Sequence, residues 1–209
     1  MRALASVIES ISATSAAVAQ GHAVIVVDDR APRPHGALVI AAEHATTELL
    51  AFMVRHSGGF ICAALTEYDC DRLALPSAVP TRETRSPAQR VTVDLKNNGT
   101  GISAAARART IRALAASEST TMDFSRPGHI VPVSALPVGV PGRRGFADAT
   151  VALAGRAGCR PAGAYAVVVS DEHPCDIADE AELERFAARY QLCAIRLSEI
   201  LPFIGLRTS

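Results

Sequence analysis

Apolar positions Leu4, Val7, Ile8 and Ile11 recur at three- and four-residue spacing, which predicts a helix with a stop near Gly21. Residues 23–29 then form an unbroken apolar run ending in Asp28-Asp29, and 38–42 form another; both predict buried strands. Thr46 or Thr47 caps a predicted helix through Leu49, Leu50, Phe52, Met53 and Val54, closed by Ser57-Gly58-Gly59. Phe60–Ala64 reads as a short strand and Glu67–Leu73 as a short helix. Residues 76–90, with Pro76, Pro80 and Pro87, read as an irregular surface excursion. Arg90-Val91-Thr92-Val93-Asp94 alternates like a strand, and Ser103 caps a helix through Ala104, Ile111 and Leu114. Further on, Ile130–Val133, Ala164–Ser170 and Leu192–Ile195 read as strands, while Ala147–Gly158 and Ala178–Tyr190 read as helices. Strands and helices alternate without a repeat or a linker, so the expectation is one α+β domain, a mixed α/β fold over residues 1–209.

Composition narrows the function classes. Lys+Arg and Asp+Glu both number 21, so no global field favours nucleic acid or an anionic membrane, and any anion binding must be local. Aromatics make up 4% with no Trp, which argues against a stacking platform for single strands. The five cysteines include no Cys-x-x-Cys pair, as expected of reduced thiols in a cytoplasmic protein. No apolar run approaches the roughly 20 residues that a spanning helix needs. In Asp171-Glu172-His173-Pro174-Cys175-Asp176, His173 and Cys175 are two metal-ligand types two residues apart, which do not complete a metal site.

Several ordered motifs are more specific. They are Val26-Val27-Asp28-Asp29 followed by Gly36-Ala37-Leu38-Val39-Ile40-Ala41-Ala42-Glu43, then Ala51-Phe52-Met53-Val54-Arg55-His56-Ser57-Gly58-Gly59 and Val91-Thr92-Val93-Asp94. Thr100-Gly101-Ile102-Ser103, Asp123-Phe124-Ser125-Arg126-Pro127-Gly128-His129 and Pro161-Ala162-Gly163 follow. In this order the chain resembles the 3,4-dihydroxy-2-butanone 4-phosphate synthase family, riboflavin-pathway enzymes that act on ribulose 5-phosphate. The resemblance implies the family fold, a homodimer with each site at the subunit interface, and a small phosphorylated substrate.

Residue by residue, the same resemblance gives a split result. The family's loop after Asp-Asp is densely acidic and supplies a magnesium ligand; here it holds Pro32, Arg33, Pro34, His35 and Ala37. Arg33 falls at the magnesium-binding glutamate and Phe146 at the magnesium-binding histidine. Val167 falls at a late catalytic glutamate. The phosphate-holding arginine survives as Arg143 and a substrate-contacting histidine as His129. Thr100 and Ser103 lie on a glycine-containing turn before a helix, a place suited to phosphate. Asp28 survives at the loop entrance, and Cys62 matches a cysteine near the site. Magnesium wants hard oxygen ligands, so the expectation is that the metal site is lost and no cofactor is used. His35 then becomes the candidate acid/base, Arg33 the electrostatic stabiliser, and Asp148 a retained carboxylate. Each has a plainer counterpart: an exposed loop for Arg33 and His35, a solvated arginine for Arg143, capping chemistry for Thr100 and Ser103, a structural histidine for His129, and a small buried hydrophobe for Cys62.

Three functions follow from the split. The first is a repurposed, metal-independent isomerase, dehydratase or lyase for a sugar phosphate. The second is a non-catalytic small-molecule-binding or partner protein. The third is the synthase of riboflavin biosynthesis itself.

Overall fold

In the structure, a computed structural model, residues 4–78, 88–137, 144–173 and 175–204 are described. Seven helices and eight strands are assigned among them. Strands β1 (Val24–Asp28), β2 (His35–Ala41), β3 (Cys62–Leu65), β6 (Phe124–Ser134), β7 (Gly163–Val167) and β8 (Ala194–Arg196) carry the sheet, with short β4 (Ala88–Gln89) at one edge. The order is β4-β6-β3-β7-β2-β1-β8, and β5 (Val93–Leu95) pairs with β6 off this path. Pairing is mixed: β1–β2, β2–β7 and β3–β7 are antiparallel, whereas β3–β6 and β1–β8 are parallel.

Both faces of the central strands are covered, which is why they read as continuous apolar runs. Ile25, Val27, Leu38 and Ile40 point toward α2 (Thr47–His56), α4 (Ala104–Ala115) and α6 (Glu180–Tyr190), where Leu50, Met53, Ile111, Leu114 and Leu183 close one core. Their neighbours Val24, Val26, Val39 and Ala41 point the other way, onto α1 (Leu4–Ala19), α5 (Phe146–Arg156) and α7 (Leu197–Ile200). The period-two alternation thus sorts adjacent residues into two cores.

The caps follow the local chemistry. Thr46 accepts from the Leu49 N–H and Ser103 from the Ala106 N–H, as expected. Asp179 and Glu182 exchange side-chain-to-backbone bonds at the start of α6. Helix α3 (Glu67–Arg72) is capped by Thr66. Among the strands whose bounds differ from their sequence expectations, two begin at least three residues earlier. β2 begins at His35 rather than at 38, because hairpin pairing sets His35, Gly36 and Ala37 opposite Asp28, Val27 and Val26. β6 runs from Phe124 through Pro127 to Ser134, since its polar first half pairs only with short β5. The middle of the predicted 76–90 excursion lies outside the described residues. Among those described, no helix is long and apolar enough to cross a membrane.

Candidate functional site

The β1–β2 hairpin mouth gathers one set of candidate residues. Asp28 and His35 are register partners there. Asp28 is buried, and its carboxylate receives the Arg30 backbone N–H and the Arg30 Nε at 3.0 Å. The Arg30 guanidinium also donates to the Arg144 carbonyl at 2.8 Å, tying the hairpin to the chain just before α5. His35 places Nδ1 3.1 Å from the Arg33 carbonyl oxygen and meets the Phe146 ring edge-on, with centroids 5.6 Å apart. Phe146 packs in turn on Tyr165, with centroids 6.0 Å apart. Tyr165 is the register partner of Cys62 and shares a hydrogen bond with its thiol. His35, Phe146, Tyr165 and Cys62 therefore form one continuous wall.

Burial decides the chemistry of Cys62. Its desolvation pushes the thiol up to about 11, with the Tyr165 hydroxyl pulling partly the other way, so at neutral pH it is a protonated small hydrophobe and no nucleophile. The Tyr165 phenol is likewise raised, by burial first and by Cys62 next.

Asp148 is buried at the third position of α5, and both its oxygens are engaged. Oδ2 accepts the Gly145 N–H at 2.8 Å, while Oδ1 accepts the Leu136 N–H at 2.9 Å and Arg144 Nη1 at 3.1 Å. That is helix-capping geometry. Arg33 faces outward: its side chain is 85% exposed and pairs with Asp176 at 3.2 Å. It lines a cleft of about 440 Å³ with Pro32, Pro34, Ile177 and Glu180. Arg143 lies outside the described residues.

The second set surrounds His129. Its ring places Nδ1 2.6 Å from Asp94 Oδ2, and its own backbone N–H donates to Asp94 Oδ1 at 3.0 Å. The Thr100–Ser103 turn crosses directly over this pair. At Gly101, φ is +81°, and a Cβ would overlap the Asp94 carboxylate and lie 2.8 Å from His129 Nδ1. Only glycine fits there. Val131 pairs with Cys62, so His129 stands two residues along β6 from that level, roughly 7 Å of extended chain. Asp94, Tyr165 and Arg30 were missed as site residues in the sequence. Asp94 had a signal, a carboxylate closing an apolar alternation; Tyr165 and Arg30 had none beyond their neighbours.

Comparison with known proteins fits this architecture. The family model described as 3,4-dihydroxy-2-butanone 4-phosphate synthase matches residues 12–203. The chain belongs to the 3,4-dihydroxy-2-butanone 4-phosphate synthase family. A solved synthase of Candida albicans is 34% identical with a TM-score of 0.85, over 93% of this chain and 97% of its own. A synthase solved in complex with two magnesium ions is 35% identical with a TM-score of 0.84, over 93% of this chain and 95% of its own. Riboflavin biosynthesis protein RibBA of Mycobacteroides abscessus is 43% identical over 198 residues, 94% of this chain but 48% of that protein. RibBA of Rhodococcus erythropolis is 44% identical, over 93% of this chain and 46% of its own length. The chain spans about half the length of the curated relatives it matches.

These likenesses correct the expectation that the family's metal is dispensed with, because a near neighbour in fold and sequence holds magnesium. The physical error lay in reasoning from two ligand positions. Magnesium keeps several waters and often takes only one or two carboxylates plus substrate oxygens, so Arg33 and Phe146 do not by themselves establish its loss. The donors described do not make a ready ion site either. Among the described residues, no group of three or more His, Cys, Asp or Glu side chains is arranged to hold a metal ion.

Proposed function

We propose that this chain catalyses the family reaction on ribulose 5-phosphate, forming 3,4-dihydroxy-2-butanone 4-phosphate with loss of formate, as a step of riboflavin biosynthesis. The observation that carries this reading is the nearly end-to-end likeness to two solved synthases at 34% and 35% identity. The substrate phosphate takes the N-terminus of α4, where Thr100, Ser103 and the free N–H groups favour an anion, with Arg143 as its cation. His129 and His35 serve as proton-transfer groups. Asp148 and Asp28 hold the frame of the hairpin mouth through Arg144 and Arg30. Two copies form a homodimer with each site at the subunit interface, working in the cytoplasm.

Thermal shift with ribulose 5-phosphate in the presence of magnesium tests binding. At a hundredfold excess over Kd the melting temperature rises by about 5–10 °C. No rise with ribulose 5-phosphate or with inorganic phosphate overturns the reading. One observation favours a second reading, a binding protein without turnover: Asp28 and Asp148 are both already engaged by guanidinium and backbone donors. That reading predicts the same thermal shift with no formate released.

A further inference from the structure

We propose that Asp94 is a positioning residue that fixes His129 in a single tautomer, with Nε2 as the proton-accepting atom presented to the substrate. This inference rests on the reading of His129 as a proton-transfer group. The geometry that carries it is a double attachment. One carboxylate oxygen of Asp94 accepts from the backbone N–H of His129 at 3.0 Å, and the other faces Nδ1 of the same residue at 2.6 Å. An ionised carboxylate only accepts, so Nδ1 must carry the proton and Nε2 is left with its lone pair. Because main chain and ring are held by the same group, the ring cannot turn without giving up the bond to Nδ1.

Burial is arranged asymmetrically about the pair. The Asp94 side chain is 11% exposed and the His129 side chain 39%, so the imidazole is the member that reaches outward. The route to this arrangement is visible in the backbone. The β5–β6 register shifts between Val93 and Asp94, which carries Asp94 out of the regular ladder. Gly128 lets β6 press so close that a Cβ there would overlap the Val93 main chain. On the other side the Gly101 turn seals the Asp94–Nδ1 contact, and exclusion of water strengthens a charged hydrogen bond.

One cation faces this group from the helix packed against it. Arg107 of α4 is 7% exposed and its Nη1 donates to the Gly59 carbonyl at 2.9 Å, while its Nε has no hydrogen-bond partner among the described residues. Burial lowers its pKa, and the charge of Asp94 works against that lowering. The charge of Asp94 thus acts on both a buried guanidinium and the histidine ring. When Nε2 takes a proton from the substrate, the positive charge left on the imidazolium is offset by Asp94, and the proton returns to the product side from the same nitrogen.

The test reads the tautomer directly. In two-bond ¹H–¹⁵N spectra of the ¹⁵N-histidine protein, with His129 assigned by its loss in His129→Gln, neutral His129 shows Nδ1 protonated. In Asp94→Asn the side-chain amide keeps the carbonyl acceptor for the backbone N–H and turns its NH₂ toward the ring, so the proton moves to Nε2. Turnover of ribulose 5-phosphate by Asp94→Asn falls about 10²- to 10⁴-fold in kcat, with KM within about threefold of wild type. A merely structural aspartate gives the same tautomer change but leaves kcat within threefold of wild type at matched folding. Wild-type His129 protonated at Nε2, or Asp94→Asn turning over within threefold of wild type, overturns the proposal. Should Asp94→Asn fail to fold, the wild-type spectrum still decides. If wild type releases no formate, the functional reading fails and the tautomer alone supports or overturns the role of Asp94.

Discussion

Removing the Asp148 carboxylate separates a cap from a catalyst. Asp148 is 7% exposed and accepts three hydrogen bonds: from Gly145 N–H at 2.8 Å, Leu136 N–H at 2.9 Å and Arg144 Nη1 at 3.1 Å. Asp148→Ala leaves two backbone donors unpaired and a guanidinium without its carboxylate. Breaking a buried charged pair from one side costs about 3–5 kcal/mol, and the loss of a helix cap belongs to the same total. At roughly 2–4 °C per kcal/mol for a chain of this size, the melting temperature falls by about 6–20 °C. Asp148→Asn keeps one acceptor oxygen but turns an NH₂ toward a donor, so about half of that loss is expected. Calorimetry or chemical denaturation measures both. If the carboxylate is structural, folded Asp148→Asn retains turnover within about tenfold of wild type. A melting temperature of Asp148→Ala within about 2 °C of wild type would refute the capping account. An Asp148→Asn protein of unchanged stability that loses activity a hundredfold would make Asp148 a catalytic group instead.

Other outcomes follow from the same geometry. Burial holds the thiols of Cys62 and Cys70 at about 11, above the ordinary value near 8.5, so the unfolded chain loses these protons first and stability falls as pH rises from about 9 to 11. The loss approaches about 3 kcal/mol per thiol at pH 11. Denaturant unfolding at pH 8.5 and 10.5 gives a shallower fall for Cys70→Ala than for wild type; equal slopes would remove Cys70 from the account. Gly128→Ala prevents or severely destabilises folding because its Cβ overlaps the Val93 main chain, whereas Gly58→Ala, with nothing within 4 Å, melts close to wild type. Arg33→Ala breaks an exposed ion pair and costs under about 1 kcal/mol, so any large change in turnover from it reflects contact with substrate. His35→Ala leaves stability nearly intact and lowers turnover; unchanged turnover shows that His35 transfers no proton.

Much of this fold was legible because the two periodicities were clean. Leu4, Val7, Ile8 and Ile11 announced α1, although Leu4 and Ile8 stay exposed and its buried face is Ile11, Thr14 and Val18, and Thr46 and Ser103 announced the starts of α2 and α4. Strand edges were less legible where pairing overrode side-chain pattern. The polar His35 joins β2 because Asp28 lies opposite it, and Ser125 to His129 join β6 because β5 needs a partner. The family motifs marked His129, Thr100 and Ser103 as candidates, but partnership cannot be read from residue type. Arg33 looked like a charge beside the substrate, and the structure pairs it with Asp176, 143 positions away. Asp148 read as a retained family carboxylate, and the fold presents it with three donors. Asp94 lies 35 positions before His129, and only the β5–β6 bulge joins them. The metal expectation failed for a different reason: it counted protein ligands and left out the waters and substrate oxygens that complete a magnesium shell.

Formate is the product that distinguishes the proposed synthase reaction on ribulose 5-phosphate from binding alone. Formate release from ribulose 5-phosphate by the purified chain, with magnesium present and a formate dehydrogenase readout, tests it most directly. One formate per ketose consumed is expected, with the release abolished in His129→Gln. Thermal stabilisation by ribulose 5-phosphate with no formate formed would contradict it and leave a binding protein in its place.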